Sequence, residues 1–168
     1  MKSFVAGVVV TLVCIRGGVY ACFAGGLAPV ATAARPMPFE RKLAHMALNA
    51  KLQKEMPRSV PIEANESNYI AGAHEYLINC AVCHGVPRKE KSAIANGEFP
   101  KPPELLKGKG VTDDPPGETY WKVANGIRLT GMPGFNQSLS ETQMWQISLM
   151  LANADKLPNS VTAVLEGQ

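Results

Sequence analysis

Apolar and polar residues change rhythm several times along this chain, and each change marks an element boundary. Phe4 to Leu27 is nearly continuously apolar, and about 24 residues at 1.5 Å each would cross a hydrocarbon core of roughly 30 Å. Arg16 costs such a segment about 2.5 to 3.5 kcal/mol, which the Val, Leu, Ile and Phe residues outweigh at about 0.3 to 0.6 kcal/mol each. After Arg35-Pro36-Met37-Pro38 the apolar positions Phe39, Leu43, Met46 and Ala50 recur at helical spacing up to Glu55. Arg41, Lys42 and Lys51 lie outside that stripe. This amphipathic helix has three readings: it lies on a membrane surface, packs on the domain that follows, or is a plain spacer. Pro57 and Pro61 bracket a linker, and a compact domain is predicted to begin near Glu63.

Within that domain, Ile70, Ala73 and Leu77 share one face of a helix predicted from Ser67 to Asn79. Gly72 inside it costs about 1 kcal/mol relative to alanine, which points to the close approach of another element. Gly85 to Gly117 is rich in Pro and Lys and poor in apolar residues, so it must wrap something other than a core of its own. Pro115-Pro116-Gly117 precedes a short helix from Glu118 to Asn125 carrying Tyr120, Trp121 and Val123 and closed by Gly126. Ser140-Glu141-Thr142-Gln143 is a capping box, and Met144, Ile147 and Leu151 place a closing helix up to about Ala154, ended by Pro158. The expected organisation is all-α: residues 1–33 a membrane anchor or signal segment, 34–62 a linker with a short helix, 63–158 the folded domain, and 159–168 a tail.

Length and charge narrow the class. Among 168 residues, 17 basic and 14 acidic side chains give a formal charge of +3. Lys2 and Arg16 lie in the first 33 residues, which hold no acid, so the remainder carries only +1 (15 minus 14). That excludes a strongly basic nucleic-acid binder. A domain of about 90 to 100 residues is near the lower limit for a self-sufficient core, and a large bound apolar group would supply what the chain lacks.

The chemistry concentrates in Cys80-Ala81-Val82-Cys83-His84. This Cys-x-x-Cys-His spacing attaches a c-type haem: each thiol forms a thioether to a vinyl group, and the adjacent histidine reaches the iron. A redox dithiol or half a zinc site would use the same two cysteines, but zinc needs four ligands in well-placed pairs. Cys14 and Cys22 lie in the apolar N-terminal segment and are poor partners. Gly131-Met132-Pro133-Gly134-Phe135 forms an irregular loop able to push a thioether toward the iron, so Met132 is the candidate distal ligand. Its rivals are Met144 and Met150 in the closing helix, Met37, Met46, Met56 and His45 ahead of the domain, and His74 on the motif helix.

From Asn65 to Pro158 the chain resembles the class I cytochromes c, most closely the single-haem domains that accompany membrane oxidases and dehydrogenases. The resemblance rests on Cys80, Cys83, His84 and the run Asn125 to Phe135 with the helices flanking both. It implies a small cytochrome c fold around one covalently bound haem c, with His84 and Met132 as the iron ligands. It also implies a proline carbonyl, Pro103 with Pro100 and Pro102 as alternatives, accepting a hydrogen bond from His84, and Leu105 touching the ring. Gly72 and Tyr76 resemble the glycine and aromatic that cross the C-terminal helix, where Trp145 is the expected contact. Tyr120 and Trp121 are expected to pack a core, which around a porphyrin would make them walls of the haem, and Arg128 either meets a propionate or lies on the surface.

The function so implied is one-electron transfer between respiratory or dehydrogenase partners, with no catalytic residue of the chain's own. Alternatives are a haem subunit permanently bound in a membrane dehydrogenase or oxidase complex, and an open-site haem sensor or peroxidase. Arg88, Lys89 and Lys91 read either as a positive docking rim or as a solvated loop. Charge counting around the anchor would place the domain inside the cell; the resemblance implies haem attachment outside it. The expected location is therefore the periplasmic side of a bacterial cytoplasmic membrane, held by the N-terminal segment. In the competing reading that segment is a signal peptide, with Lys2 as its charged start and Ala31-Thr32-Ala33 as its cleavage site. Val19-Tyr20-Ala21-Cys22 fits a lipoprotein cleavage box badly, because of the tyrosine and Arg16.

Overall fold

A computed structural model describes residues 1–167, in which every regular element is helical and no strand occurs among the described residues. The helices are α1 (Lys2–Ala24), α2 (Glu40–Glu55), α3 (Glu66–Asn79), α4 (Ala81–His84), α5 (Ala93–Gly97), α6 (Pro116–Asn125), α7 (Glu141–Ala152) and α8 (Asn159–Glu166). The chain divides into one unit over Met1–Leu43 and a second from Ala44 onward.

The first unit is dominated by α1, whose 23 residues bury no side chain. It is long and apolar enough to cross a membrane. Its exposed Phe4, Leu12, Ile15 and Phe23 are side chains that water would penalise and lipid would not. The Met37 amide donates to Glu40 Oε2 at 2.8 Å, capping the entry to α2.

In the second unit α3 crosses α7, α6 packs against α7, and α8 packs against α3. Local chemistry sets where these helices begin. Asn65 Oδ1 accepts from the Asn68 amide at 3.0 Å at the head of α3. The Ser140 amide donates to Gln143 Oε1 at 2.9 Å while the Gln143 amide donates to Ser140 Oγ at 3.3 Å, completing the capping box of α7. The core gathers Ala73 and Tyr76 of α3, Val123 and Ala124 of α6, Met144, Ile147, Met150 and Leu151 of α7, and Val161 and Leu165 of α8.

The crossing of α3 and α7 turns on Gly72. A Cβ there would lie 2.2 Å from the Gln146 carbonyl oxygen and 3.1 Å from the Ile147 nitrogen, so only glycine lets the two backbones meet. Trp145, the contact expected for Gly72 and Tyr76, has a ring partner on α6. It stacks on Tyr120 of α6, with ring centroids 4.2 Å apart and planes at 17°. Positions 145 and 147 are about 200° apart around a helix, so when Ile147 faces α3 the indole turns toward α6.

Two segments outside the span 63–158 contribute to this unit. Leu52 and Met56, at the end of α2 and just beyond it, are buried at 2% and 8% exposure. Of the three readings of that helix, its C-terminal part therefore packs on the protein. Trp121 Nε1 donates to Glu55 Oε2 at 3.3 Å, and Gly117 lies so close to Pro57 that a Cβ would be 2.0 Å from its carbonyl oxygen. The stretch after Pro158, read above as a tail, is α8. The Pro158 carbonyl accepts from the Val161 and Thr162 amides, and Val161 and Leu165, one turn apart, are fully buried. Burying two such side chains contributes about 1.5 to 3 kcal/mol each. Pro158, six residues beyond the end of α7 at Ala152, sets the φ that opens α8.

Candidate functional site

The Cys80 to His84 segment is one helical turn joined to the end of α3. Cys80 donates its amide to the Tyr76 carbonyl at 2.9 Å, and its own carbonyl accepts from Cys83 at 3.1 Å and His84 at 2.9 Å. Cys83 and His84, three and four residues on, therefore lie on the same side of the turn as Cys80. Gly85, at φ +75°, ends the turn in a conformation that disfavours a side chain. Tyr76 fixes this exit from below, its hydroxyl donating to the Gly85 carbonyl at 2.7 Å.

The three reactive groups are chemically distinct. Both thiols are unbridged. Burial, reinforced by Cys83 and Glu75, pushes the Cys80 thiol up to about 12. Burial and the hydrogen bond to Glu98 also raise Cys83. Burial holds His84 below the usual imidazole range, a shift that its bond to Pro103 and the nearby Glu98 oppose and that Lys91 assists. Its ring is thus neutral at neutral pH. Nδ1 lies 2.8 Å from the Pro103 carbonyl oxygen. A carbonyl can only accept, so Nδ1 carries the proton and Nε2 keeps its lone pair for another ligand. Of the three nearby prolines, Pro103 makes this contact.

The loop carrying Met132 is held by backbone alone at its base. Phe135 and Asn136 donate to the Val123 and Ala124 carbonyls at 2.9 and 3.3 Å, while Ile127 donates to the Met132 carbonyl at 3.2 Å. Thr130 Oγ1 accepts from the Met132 amide at 3.1 Å and donates to the Ile127 carbonyl at 2.7 Å. Gly126 and Gly134 face each other so closely that a Cβ on Gly126 would sit 2.5 Å from the Gly134 nitrogen. Met132 is half-buried and, like Cys80 and Leu105, packs against the core cluster. Its rivals are placed differently: Met144 and Met150 are buried inside the core, whereas His45 and His74 are exposed.

The remaining candidates are dispersed. Tyr120 is stacked on Trp145 and Trp121 bonds to Glu55, so their identified partners belong to the packing of α2, α6 and α7. Arg128 is exposed beside Leu129, itself 93% exposed at φ +61°.

One residue at the site had no sequence signal. Glu98, at the end of the short helix α5, accepts from Cys83 Sγ at 3.4 Å. A Cβ on Gly131 would lie 2.5 Å from the same carboxylate oxygen. Glu98 thus touches both the motif and the residue before Met132, a placement set by the path of the wrapping loop.

Two unbridged thiols three residues apart, a neutral imidazole with its Nε2 free, and a thioether on a well-tied loop fit a covalently attached haem, because each bonding role of that group has a donor of the right kind. The protein-family profile described as cytochrome C oxidase, cbb3-type, subunit III matches residues 67–149, from α3 through most of α7. Among solved structures, the Kuenenia stuttgartiensis reducing HAO-like protein complex is similar, with 22% identity and a TM-score of 0.49 over 62% of this chain. The chain spans about half, 53%, of that one. No curated protein matches the chain.

Proposed function

From the premise that this chain carries a c-type cytochrome domain binding haem c covalently, we propose that it is a one-electron carrier with His84 and Met132 as axial iron ligands, held at the periplasmic face of a bacterial cytoplasmic membrane by α1. The haem supplies an iron that cycles between ferric and ferrous states. The chain's residues fix that iron's surroundings. Cys80 and Cys83 tether the ring, and the Pro103 carbonyl orients His84 and strengthens it as a donor. Met132, a soft thioether, favours ferrous iron and raises the potential relative to a second nitrogen ligand. With His84 and Met132 both engaged, the iron would have no open position for oxygen or peroxide, and the partners would do the chemistry. The observation that carries this reading is the His84 Nδ1 contact with Pro103, which presents Nε2 as a neutral ligand.

The family's name favours a second reading, a haem subunit fixed in a membrane oxidase or dehydrogenase complex. Co-purification of stoichiometric partners in mild detergent would support that arrangement over a free shuttle. For either, the test is a potentiometric titration of the full chain in detergent, followed by exposure of the ferrous form to carbon monoxide. A carrier shows a single one-electron transition, 59 mV per tenfold change in ratio, and does not bind carbon monoxide rapidly. Fast carbon monoxide binding would instead place the open-site sensor or peroxidase first.

A further inference from the structure

We propose that Glu98 is a potential-tuning residue: its carboxylate, held against Cys83 and accommodated by the missing side chain of Gly131, is a fixed negative charge at the haem edge that favours the ferric state. The inference rests on the haem reading above and goes beyond it by assigning a role to a residue outside the ligand set. Its geometry comes from two contacts on different segments. Glu98 Oε1 is 3.4 Å from Cys83 Sγ, and a Cβ on Gly131 would approach Oε1 to 2.5 Å and Cδ to 2.7 Å. A larger residue at position 131 would shift the carboxylate, the flexible end of the Glu98 side chain, from its place. Gly131 therefore both begins the Met132 turn and makes room for a charge.

Haem attachment changes what this carboxylate meets. The Cys83 S–H adds across a vinyl double bond, sulfur to one carbon and hydrogen to the other, and no oxidant or reductant is consumed. The thiol proton that Glu98 accepted is then gone, and the carboxylate lies beside a thioether sulfur that offers no hydrogen bond. No salt bridge to Glu98 is found among the described residues. A negative charge in this position lowers the energy of the more positive ferric centre relative to the ferrous one. At such an edge, partly screened by solvent, the effect is about fivefold in the ferric to ferrous ratio at a fixed ambient potential, or about 40 mV at 59 mV per tenfold.

The experiment is spectroelectrochemistry of the full-length, haem-loaded protein in detergent at low and high salt, for the parent, Glu98→Gln and Glu98→Asp. The expected result is a shift of about fivefold toward the ferrous form in Glu98→Gln, with Glu98→Asp close to the parent. Added salt should raise the parent's potential by screening the charge and raise that of Glu98→Gln less. A Glu98→Gln ratio within about 1.5-fold of the parent, or equal shifts in the Gln and Asp variants, overturns the proposal, the latter because it would mark a steric role. If Glu98→Gln fails to take up haem, the parent's salt profile decides: a rise supports the charge, and a flat or falling profile overturns it. A parent chain without covalent haem would instead overturn the haem reading and this proposal with it.

Discussion

Replacing Gly72 by alanine sets two effects against each other, and the geometry decides between them. An exposed helical glycine gains about 1 kcal/mol on conversion to alanine from backbone propensity. At Gly72 the new methyl would lie 2.2 Å from the Gln146 oxygen and 2.6 Å from its carbonyl carbon, both backbone atoms of α7. Neither can rotate away, so α3 and α7 must separate by about 1 Å, which forfeits a quarter to a half of each close contact along the seam. The seam holds Ala73, Tyr76 and Ile147, all fully buried. It also holds hydrogen bonds from Gln143 to Glu75 at 2.6 Å and from Gln146 to Asn68 at 3.0 Å. Overpacking of this kind costs about 1 to 3 kcal/mol, and weakening two flanking hydrogen bonds adds about 1 kcal/mol. After the propensity gain, a net loss of about 2 kcal/mol is expected. The assay is denaturant unfolding of the full chain in detergent, followed by helical circular dichroism, with Gly97→Ala as control. Gly97 lies in α5 with nothing within 4 Å of its hypothetical Cβ, so that variant should be neutral or slightly stabilised. A Gly72→Ala protein as stable as the parent would refute the close backbone crossing.

Three further substitutions test other parts of the structure. Leu52→Ala should cost about 2 to 4 kcal/mol in the same unfolding assay because Leu52 is 2% exposed, whereas a spacer helix would lose less than about 0.5 kcal/mol. Tyr76→Phe leaves the Gly85 carbonyl without its 2.7 Å donor and should cost about 1 to 2 kcal/mol while leaving the haem spectrum unchanged. Burial and then Glu118 raise the Asp114 carboxyl above its ordinary range against the opposing pull of Lys122. Between its unfolded and folded pKa the native state holds more protons, so this group's contribution falls as pH rises and is a net cost at neutral pH. Asp114→Asn should therefore stabilise by a few tenths of a kcal/mol at pH 7, a gain that disappears as pH falls below about 3.9 in unfolding measured across pH.

What the sequence made legible is what local rules encode. The spacing of Cys80, Cys83 and His84 needs one turn of helix, the box from Ser140 to Gln143 closes within four residues, and Gly72 is conspicuous because a helix interior disfavours it. Four features were hidden because they depend on where distant segments meet. The stretch from Asn159 to Glu166 has only eight residues after a proline, and only its burial against α3 makes it a helix worth forming. The docking of α2 rests on Leu52 and Met56, while the apolar stripe that identified that helix ran through Leu43 and Met46, which stay exposed. Tyr120 and Trp121 were legible as aromatics but not by direction, since the rotation of α6 is fixed by Val123 and Ala124 entering the core. Glu98 is the extreme case, a single carboxylate whose meaning comes from the loop path that sets it between Cys83 and Gly131.

The central claim, a closed haem iron held between His84 and Met132, is tested most directly by the optical spectrum of the matured ferric protein beside its Met132→Ala variant. The account predicts the weak far-red charge-transfer band of sulfur-to-iron ligation in the parent and its loss in the variant, with Met144→Ala retaining it. A parent without that band, or a Met132→Ala protein that keeps it, would contradict the assignment and leave the sixth position to another residue or open.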